Sequence, residues 1–279
     1  MPYCLNECAL LENIRFEKIV LARNSKMAKI PIALQLYSVR ENCARDLPAT
    51  LKAVADMGYE GVEFAGYHGR NAAELKTLLQ STGLRAAGTH VYIDTLLGDE
   101  LQKTIHFNHT LDNEFLIVPW LPEERRRSKA EWLKTAHLMN TIAEKLRSEG
   151  IRLGYHNHAI EFQPMDGEMP WNLFFNATKP DVVMQLDTGN AMQGGISPDG
   201  ILEIIKHYPG RVATVHLKEY SPKNEWALIG EGEMKWQEFL RLCVTFGGTE
   251  WYVVEQEGCV FPRMDCARRN IENLRRMLQ

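Results

Sequence analysis

Short apolar runs alternate with longer amphipathic stretches along the chain from residue 30 onward. Apolar runs of four to eight residues, bounded by turn residues, are typical of strands that are buried on both faces, as in a parallel sheet. We therefore predict eight strands, within residues 30–38, 59–66, 84–91, 115–120, 152–158, 182–187, 212–217 and 251–257.

Amphipathic segments with apolar residues three or four positions apart lie between these runs and predict helices. Gly58, Gly83 and Gly150 lie within two residues after three of the segments, and glycine is a common residue at the end of a helix. The predicted helices cover residues 47–57, 72–81, 96–106, 129–149, 198–207, 236–246 and 266–278. Strands and helices that alternate in this number and order predict an α/β protein with a single-domain (β/α)₈ TIM barrel.

An open, doubly wound sheet has the same alternation and is the alternative fold. That fold normally carries a glycine-rich phosphate loop after its first strand. The corresponding turn at residues 38–46 contains no glycine, which favours the barrel. We expect the barrel to cover residues 30–279. Residues 1–29 show no clear apolar period, so we expect an amino-terminal extension there.

Composition and charge limit the classes of partner. The chain has 279 residues, 45% of them hydrophobic, which is enough to bury a large core, and its net charge is −4. Because this charge is spread along the chain, we expect a small-molecule partner rather than nucleic acid or a membrane surface. Six cysteines without a CxxC pair argue against a disulfide scaffold. With no apolar run near the ~20 residues that cross a bilayer and no signal-peptide core, we expect a cytoplasmic protein.

The last four predicted strands each end on a side chain that can bind a metal, namely His156, Asp187, His216 and Glu255. The carboxyl ends of parallel strands meet at one end of a barrel, where active sites form. Two imidazoles and two carboxylates favour one divalent ion, either Mn²⁺, Zn²⁺, Co²⁺ or Mg²⁺. His158 shares a strand face with His156, so the fifth-strand ligand is one of these two histidines. Each residue alone could be a structural strand-end cap, but four in register favour the metal site.

Several segments of the chain resemble the xylose isomerase-like barrels, which include sugar-phosphate isomerases and epimerases, keto-sugar 3-epimerases, inosose dehydratase and endonuclease IV. In many relatives the ligands are Glu, Asp, His and Glu on strands five to eight. The resemblance carries Asp187, His216 and Glu255 over, whereas His156 stands where the epimerases have glutamate. Relatives are often dimers or tetramers, so the resemblance also allows a homo-oligomer. The similar segments are residues 38–64, 155–162 (YHNHAIEF), 185–191 (QLDTGNA), 215–220 (VHLKEY), 230–236 (GEGEMKW) and 253–257 (VVEQE).

The resemblance implies proton transfer next to a carbonyl group. In the epimerases two glutamates pass a proton through an enediolate while the metal polarises the substrate oxygens. Glu255 matches one of these bases, and His158 and Glu161 are the nearest candidates for the other. We therefore predict a divalent-metal-dependent isomerase or epimerase that acts on a ketose or keto-sugar. The YHNH segment instead resembles inosose dehydratase and the 3-keto-glycoside lyases or hydrolases, which expel a β-leaving group after the same proton abstraction.

Four further residues are predicted to bind the sugar substrate. His90 and Gln35 lie at predicted strand ends, where a polar side chain can hydrogen-bond a hydroxyl group. Lys218 follows the seventh strand and can neutralise an enediolate oxygen. Trp120 ends the fourth predicted strand and can stack on a sugar face. For each residue a purely structural role is the alternative. No phosphate cradle is visible, so a free or glycosidic keto-sugar is at least as plausible as a phosphorylated one.

Two other functional classes are weaker alternatives. A phosphodiesterase of the endonuclease IV type needs a basic groove and more than one metal ion. The sequence has one dense basic run, at residues 125–127, and lacks the additional ligand set. A non-catalytic sugar-binding barrel predicts the same pocket without a bound metal.

Overall fold

The computed structural model of the protein describes residues 30–279, and the extension expected at residues 1–29 lies outside the described residues. Eight parallel strands pair in chain order, and the first also pairs with the last, so the sheet closes into a barrel. The strands are β1 (Ile32–Gln35), β2 (Gly61–Ala65), β3 (Arg85–His90), β4 (Phe115–Val118), β5 (Arg152–His156), β6 (Val183–Asp187), β7 (Thr214–Leu217) and β8 (Trp251–Val254). The predicted single-domain (β/α)₈ barrel is confirmed.

Helices alternate with the strands around the barrel. They are α1 (Arg40–Arg45), α2 (Leu47–Asp56), α3 (Ala72–Thr82), α4 (Glu100–Thr110), α5 (Lys129–Ser148), α6 (Pro170–Ala177), α7 (Thr188–Gln193), α8 (Pro198–His207), α9 (Trp236–Leu242) and α10 (Arg263–Met277). Short 3₁₀ helices occupy Leu36–Val39, Ile93–Leu96, Glu123–Arg125 and Ala159–Phe162, and one π-helical turn occupies Cys243–Gly247.

Side chains next to the helices explain several of their ends. The Asp46 carboxylate accepts a hydrogen bond of 3.0 Å from the Ala49 N–H and so caps the start of α2. Asn71 and Glu74 form a reciprocal capping box at the start of α3. Gly83 ends that helix with a φ of 72°, in the left-handed region that glycine adopts without strain.

Three predicted helices differ from the structure by more than one residue at a boundary. The helix predicted at residues 96–106 is displaced to Glu100–Thr110, because a 3₁₀ turn and Gly98, with a φ of 53°, interrupt the chain before it. The helix predicted to end at residue 246 leaves the α conformation at Leu242 and continues as a π-helical turn. The last helix begins at Arg263, three residues before the predicted start.

The barrel interior is filled with apolar side chains below a layer of polar ones. The apolar cluster consists of Ala33, Ala87, Phe115, Ile117, Val183, Ala213, Trp251 and Val253. Gly154 on β5 faces this cluster, and a Cβ atom there would lie 2.5 Å from Ile117 Cδ1. Glycine at position 154 therefore leaves space for the Ile117 side chain. The polar residues of the next layer face the carboxyl end of the barrel.

The described cysteines form one crosslink. A disulfide joins Cys259 to Cys266, a pair that the cysteine count alone does not predict, whereas Cys43 and Cys243 are buried free thiols. Within residues 30–279, no helix has both the length and the apolar character that crossing a membrane requires.

Candidate active site

The four predicted metal-binding side chains lie together at the carboxyl end of the barrel. His156 and Asp187 are the last residues of β5 and β6, His216 lies in β7, and Glu255 directly follows β8. One ligand atom from each residue lies within 4.8 Å of the other three, and all four side chains are buried. Neighbouring strands of a closed barrel therefore bring together residues that are far apart in the chain.

Two atoms of this cluster are buried without a hydrogen-bond partner among the described residues. They are Nδ1 of His156 and Oδ2 of Asp187. The other Asp187 oxygen accepts a 2.6 Å hydrogen bond from the Asn190 N–H at the start of α7. A buried polar atom without a partner costs about 1–3 kcal/mol. A divalent cation bound between these atoms would remove that cost, and the set of two imidazoles and two carboxylates fits such an ion.

The four candidate ligands, His156, Asp187, His216 and Glu255, are called the ligand cluster below. His216 connects this cluster to a deeper carboxylate. Its Nδ1 lies 2.9 Å from Glu255 Oε2 and 3.8 Å from Asp187 Oδ2, while its Nε2 lies 2.6 Å from Glu63 Oε2. Burial lowers the pKa of His216, but the carboxylates of Glu63 and Glu255 outweigh burial and raise this pKa to about 10. Burial raises the pKa of Glu255, but the hydrogen bond and charge of His216 outweigh it and hold this pKa below its usual range.

The other two ligands have pKa shifts of opposite direction. Burial, together with the charges of His216 and His90, holds the pKa of His156 well below its usual value, so this imidazole is neutral. Burial raises the pKa of Asp187 against the opposing charge of Lys218. A neutral imidazole with an unpaired ring nitrogen has a free lone pair, which is the form that binds a metal.

Glu63, in the middle of β2, is fully enclosed below the cluster. Its Oε1 accepts a 2.7 Å hydrogen bond from Gln185 Nε2, and its Oε2 accepts one of 2.7 Å from Gln35 Nε2. His90 Nε2 lies 3.1 Å from Glu63 Oε2 and 2.9 Å from Gln185 Oε1. A Cβ atom at Gly88 would lie 2.7 Å from Glu63 Oε1, so glycine is needed there to admit the carboxylate.

A cavity of about 640 Å³ reaches the ligand cluster, since His156 and Glu255 belong to its lining. His90 and His158 also face it. Aromatic side chains form much of the remaining wall, namely Tyr37, Tyr67, Tyr92, Phe107 and Trp120. The Tyr67 and Phe107 rings stack with their centroids 4.0 Å apart. The cavity therefore has a polar end at the ligand cluster and an aromatic wall.

The predicted site residues divide into two groups. The residues that line the cavity are His90, Trp120, His156, His158 and Glu255. Trp120 is 45% exposed. Five predicted residues thus lie where a bound molecule would contact them.

The other predicted residues are bonded within the protein. Gln35 is buried and donates to Glu63, and it does not belong to the cavity lining. The Lys218 ammonium group donates a 2.8 Å hydrogen bond to Asn190 Oδ1 and also pairs with Glu257.

Glu161 lies below the cavity wall rather than in it. Its carboxylate accepts hydrogen bonds of 2.6 Å from the Tyr155 hydroxyl and 2.7 Å from the His158 backbone N–H. Burial raises its pKa, and the Tyr155 hydrogen bond opposes that rise. Both carboxylate oxygens therefore face the protein.

Four aromatic residues of the wall are absent from the predicted site residues, namely Tyr37, Tyr67, Tyr92 and Phe107. The sequence contains a signal for three of them. Tyr37, Tyr67 and Tyr92 lie two residues after the ends of β1, β2 and β3, as Trp120 does after β4. A repeated aromatic residue at one offset from successive strand ends therefore indicates a common wall. Phe107 lies within α4 and carries no such signal.

Known proteins resemble this chain along most of its length. An inosose dehydratase from Clostridium botulinum (strain Eklund 17B / Type B) is 22% identical over 247 residues, which are 74% of this chain and 81% of the relative. A solved sugar phosphate isomerase/epimerase from Parabacteroides distasonis ATCC 8503 has a TM-score of 0.76 at 22% identity, covering 88% of this chain and 96% of that one.

A second solved structure, of a protein named IolI with a bound zinc atom, has a TM-score of 0.68 at 11% identity and covers 89% of this chain and 98% of its own. The similarity to both solved structures concerns the fold. The family model described as xylose isomerase-like TIM barrel matches residues 51–277, and the chain therefore belongs to that family of sugar-modifying enzymes.

Proposed function

We propose that the protein is a divalent-metal-dependent isomerase or epimerase that removes a proton next to the carbonyl group of a ketose or keto-sugar. The observation that carries this proposal is the pair of unpartnered, buried atoms, His156 Nδ1 and Asp187 Oδ2, in a cluster that borders the cavity. Buried polar groups are normally paired. Two such atoms on residues of one His, Asp and Glu cluster favour an ion over a structural role.

The metal ligands in this proposal are His156, Asp187, His216 and Glu255. When bound, a divalent ion polarises a carbonyl or hydroxyl oxygen of the substrate and so acidifies the adjacent C–H group. The mixed nitrogen and oxygen donors suit Zn²⁺, Mn²⁺, Co²⁺ or Mg²⁺. The zinc atom in the similar barrel named IolI supports a single divalent ion of this kind.

Glu255 is the proposed base. Its carboxylate lines the cavity, and the contact with His216 keeps it ionised, so it can accept a proton from the substrate carbon. His158 is the proposed second proton-transfer group because it also lines the cavity. Burial lowers the pKa of His158, although the Glu255 charge opposes this, and a neutral imidazole can both donate and accept a proton. Glu161 holds the His158 backbone, so its proposed role is to support that segment.

The proposed substrate is an unphosphorylated sugar. Lys103 is the one lysine or arginine among the described residues of the cavity lining, and its ammonium group pairs with Glu100 at 2.6 Å. Recognition of a phosphate group normally uses arginine, lysine or a row of backbone N–H groups. The aromatic wall, including Trp120, instead suits the apolar face of a sugar ring.

Dehydration of a keto-polyol is the second candidate. It begins with removal of the same proton, after which the bond from the β-carbon to its hydroxyl oxygen breaks and water leaves. Two observations favour it. His156 stands where a symmetric exchange between two glutamates would need a carboxylate, and the relative from Clostridium botulinum is an inosose dehydratase.

The test is incubation of the metal-loaded protein in D₂O with a panel of ketoses, 3-keto-glucosides and an inosose, followed by NMR and mass spectrometry. We expect deuterium to enter next to the carbonyl group with the carbon skeleton retained. Loss of water or of a glycosidic substituent would instead support elimination. Absence of exchange with every compound, from protein that contains one bound metal ion, would contradict both candidates. Protein from which a chelator has removed the metal is the control.

A further inference from the structure

A carboxylate buried in a strand interior is a costly feature that the proposed reaction does not use. Glu63 is fully enclosed, and moving a charged group out of water costs several kcal/mol unless its lone pairs are satisfied. Four side chains supply partners, namely Gln35, Gln185, His216 and His90. Three of these come from β1, β6 and β7 and one from β3, so the carboxylate joins strands across the whole barrel.

We propose that Glu63 is a positioning residue that fixes which nitrogen of His216 faces the metal. The 2.6 Å contact between His216 Nε2 and Glu63 Oε2 is a hydrogen bond in which the imidazole donates. Because Nε2 keeps its proton in this hydrogen bond, Nδ1 is the ring nitrogen that is left to bind a metal ion. That atom faces Asp187 Oδ2 at 3.8 Å and Glu255 Oε2 at 2.9 Å, the oxygens of the ligand cluster. A carboxylate that holds the second nitrogen of a metal-binding histidine fixes both the tautomer and the ring orientation.

The same carboxylate orients a second imidazole. His90 Nε2 lies 3.1 Å from Glu63 Oε2 and 2.9 Å from Gln185 Oε1, and both of these oxygens are acceptors. Its Nε2 therefore donates a hydrogen bond, and the His90 side chain also lines the cavity. The His90 and His216 rings lie nearly parallel, at 9° and 5.4 Å between centroids. One carboxylate thus orients both an imidazole of the ligand cluster and an imidazole that lines the cavity.

This inference rests on the proposed metal site, and its test measures metal binding rather than turnover. The variant is Glu63→Gln, which keeps the side-chain length and replaces one acceptor oxygen by a donor. Glu219→Gln is the matched control, because Glu219 is also a buried carboxylate and accepts hydrogen bonds from the Trp236 ring N–H at 2.6 Å and the Gly230 N–H at 2.8 Å. Neither of these two donors is a metal ligand in the proposal.

Competition with a chromogenic chelator gives the Co²⁺ affinity, and the visible spectrum of the Co²⁺ protein reports the ligand geometry. We expect Glu63→Gln to weaken Co²⁺ binding about 10- to 100-fold and to change the spectrum. Glu219→Gln should keep the wild-type affinity and spectrum even if its melting temperature falls. An unchanged affinity and spectrum in folded Glu63→Gln would overturn the role of Glu63 alone. A wild-type protein that binds no Co²⁺ would overturn both this inference and the proposed function.

If Glu63→Gln does not fold, nitrogen NMR of the wild-type histidine rings tests the proposed role of Glu63 instead. In the Zn²⁺-loaded protein we expect His216 to carry a proton on Nε2 and to bind the metal through Nδ1. Coordination through Nε2 would contradict the role of Glu63, because that nitrogen would no longer be free to donate to its carboxylate.

Discussion

The first four strands of the barrel and the last four end in different chemistry. An aromatic residue lies two positions after each of β1 to β4, namely Tyr37, Tyr67, Tyr92 and Trp120, and all four line the cavity. A candidate metal-binding side chain lies at or next to the end of each of β5 to β8. The first half of the barrel thus supplies the aromatic wall of the cavity, and the second half supplies the candidate metal centre. Substrate contact and metal binding should therefore be separable by mutation.

The largest effect should come from the reacting carboxylate in the second half. Glu255→Gln removes the proposed base while keeping the side-chain volume, so we expect turnover to fall about 1,000-fold. The circular dichroism spectrum should remain that of the wild type, which shows that the fold is intact. Full activity of the variant would remove Glu255 from the mechanism.

Loss of a single ligand should have a large effect on metal content. His216→Ala removes the imidazole between Glu63 and Glu255, and we expect metal affinity to fall at least about 10-fold. Metal analysis after dialysis against a fixed free Zn²⁺ concentration measures this change. His207→Ala, which alters an exposed histidine on α8, is the control and should keep full occupancy. Undiminished metal in His216→Ala would show that the ligand set is wrong.

A change in the first half should affect substrate contact alone. Trp120→Ala removes an exposed ring of the aromatic wall, and we expect KM to rise about threefold to tenfold with kcat nearly unchanged, because one aromatic contact contributes about 0.5–1.5 kcal/mol. Metal content should equal that of the wild type. Trp226→Ala is the control, since Trp226 is 38% exposed but does not line the cavity. A loss of metal in Trp120→Ala would contradict the separation of the two halves.

The two halves also differ in how much their sequences reveal. A ligand at the end of an apolar run is a local pattern, so His156, Asp187, His216 and Glu255 are predicted together without a structure. Glu63 is a single acidic residue within an apolar strand, and nothing next to it in sequence explains it. Its partners Gln35 and His216 are 28 and 153 residues away in the chain. Their contacts exist only because the barrel closes.

Short helices limit the prediction for a different physical reason. α7 has six residues, too few for a helical period to be visible in the sequence. Asp187 directly precedes this helix and caps it, since its Oδ1 accepts a hydrogen bond from the Asn190 N–H while Oδ2 has no hydrogen-bond partner among the described residues. The same carboxylate thus caps a helix and is a candidate ligand. Its position at a strand end, which is all that the sequence indicates, does not separate these two roles. The eight strands, in contrast, lie within the predicted segments.

The order of the two halves has a consequence for synthesis. The amino end of a chain leaves the ribosome first, so amino-terminal regions are available to fold first. The segments that carry the aromatic wall are complete before His156, the first candidate ligand, is translated. Glu255 is the last candidate ligand, and it follows β8, the strand that pairs with β1. A nascent chain therefore gains the fourth candidate ligand only as the barrel becomes able to close. A product truncated before residue 255 lacks the full set.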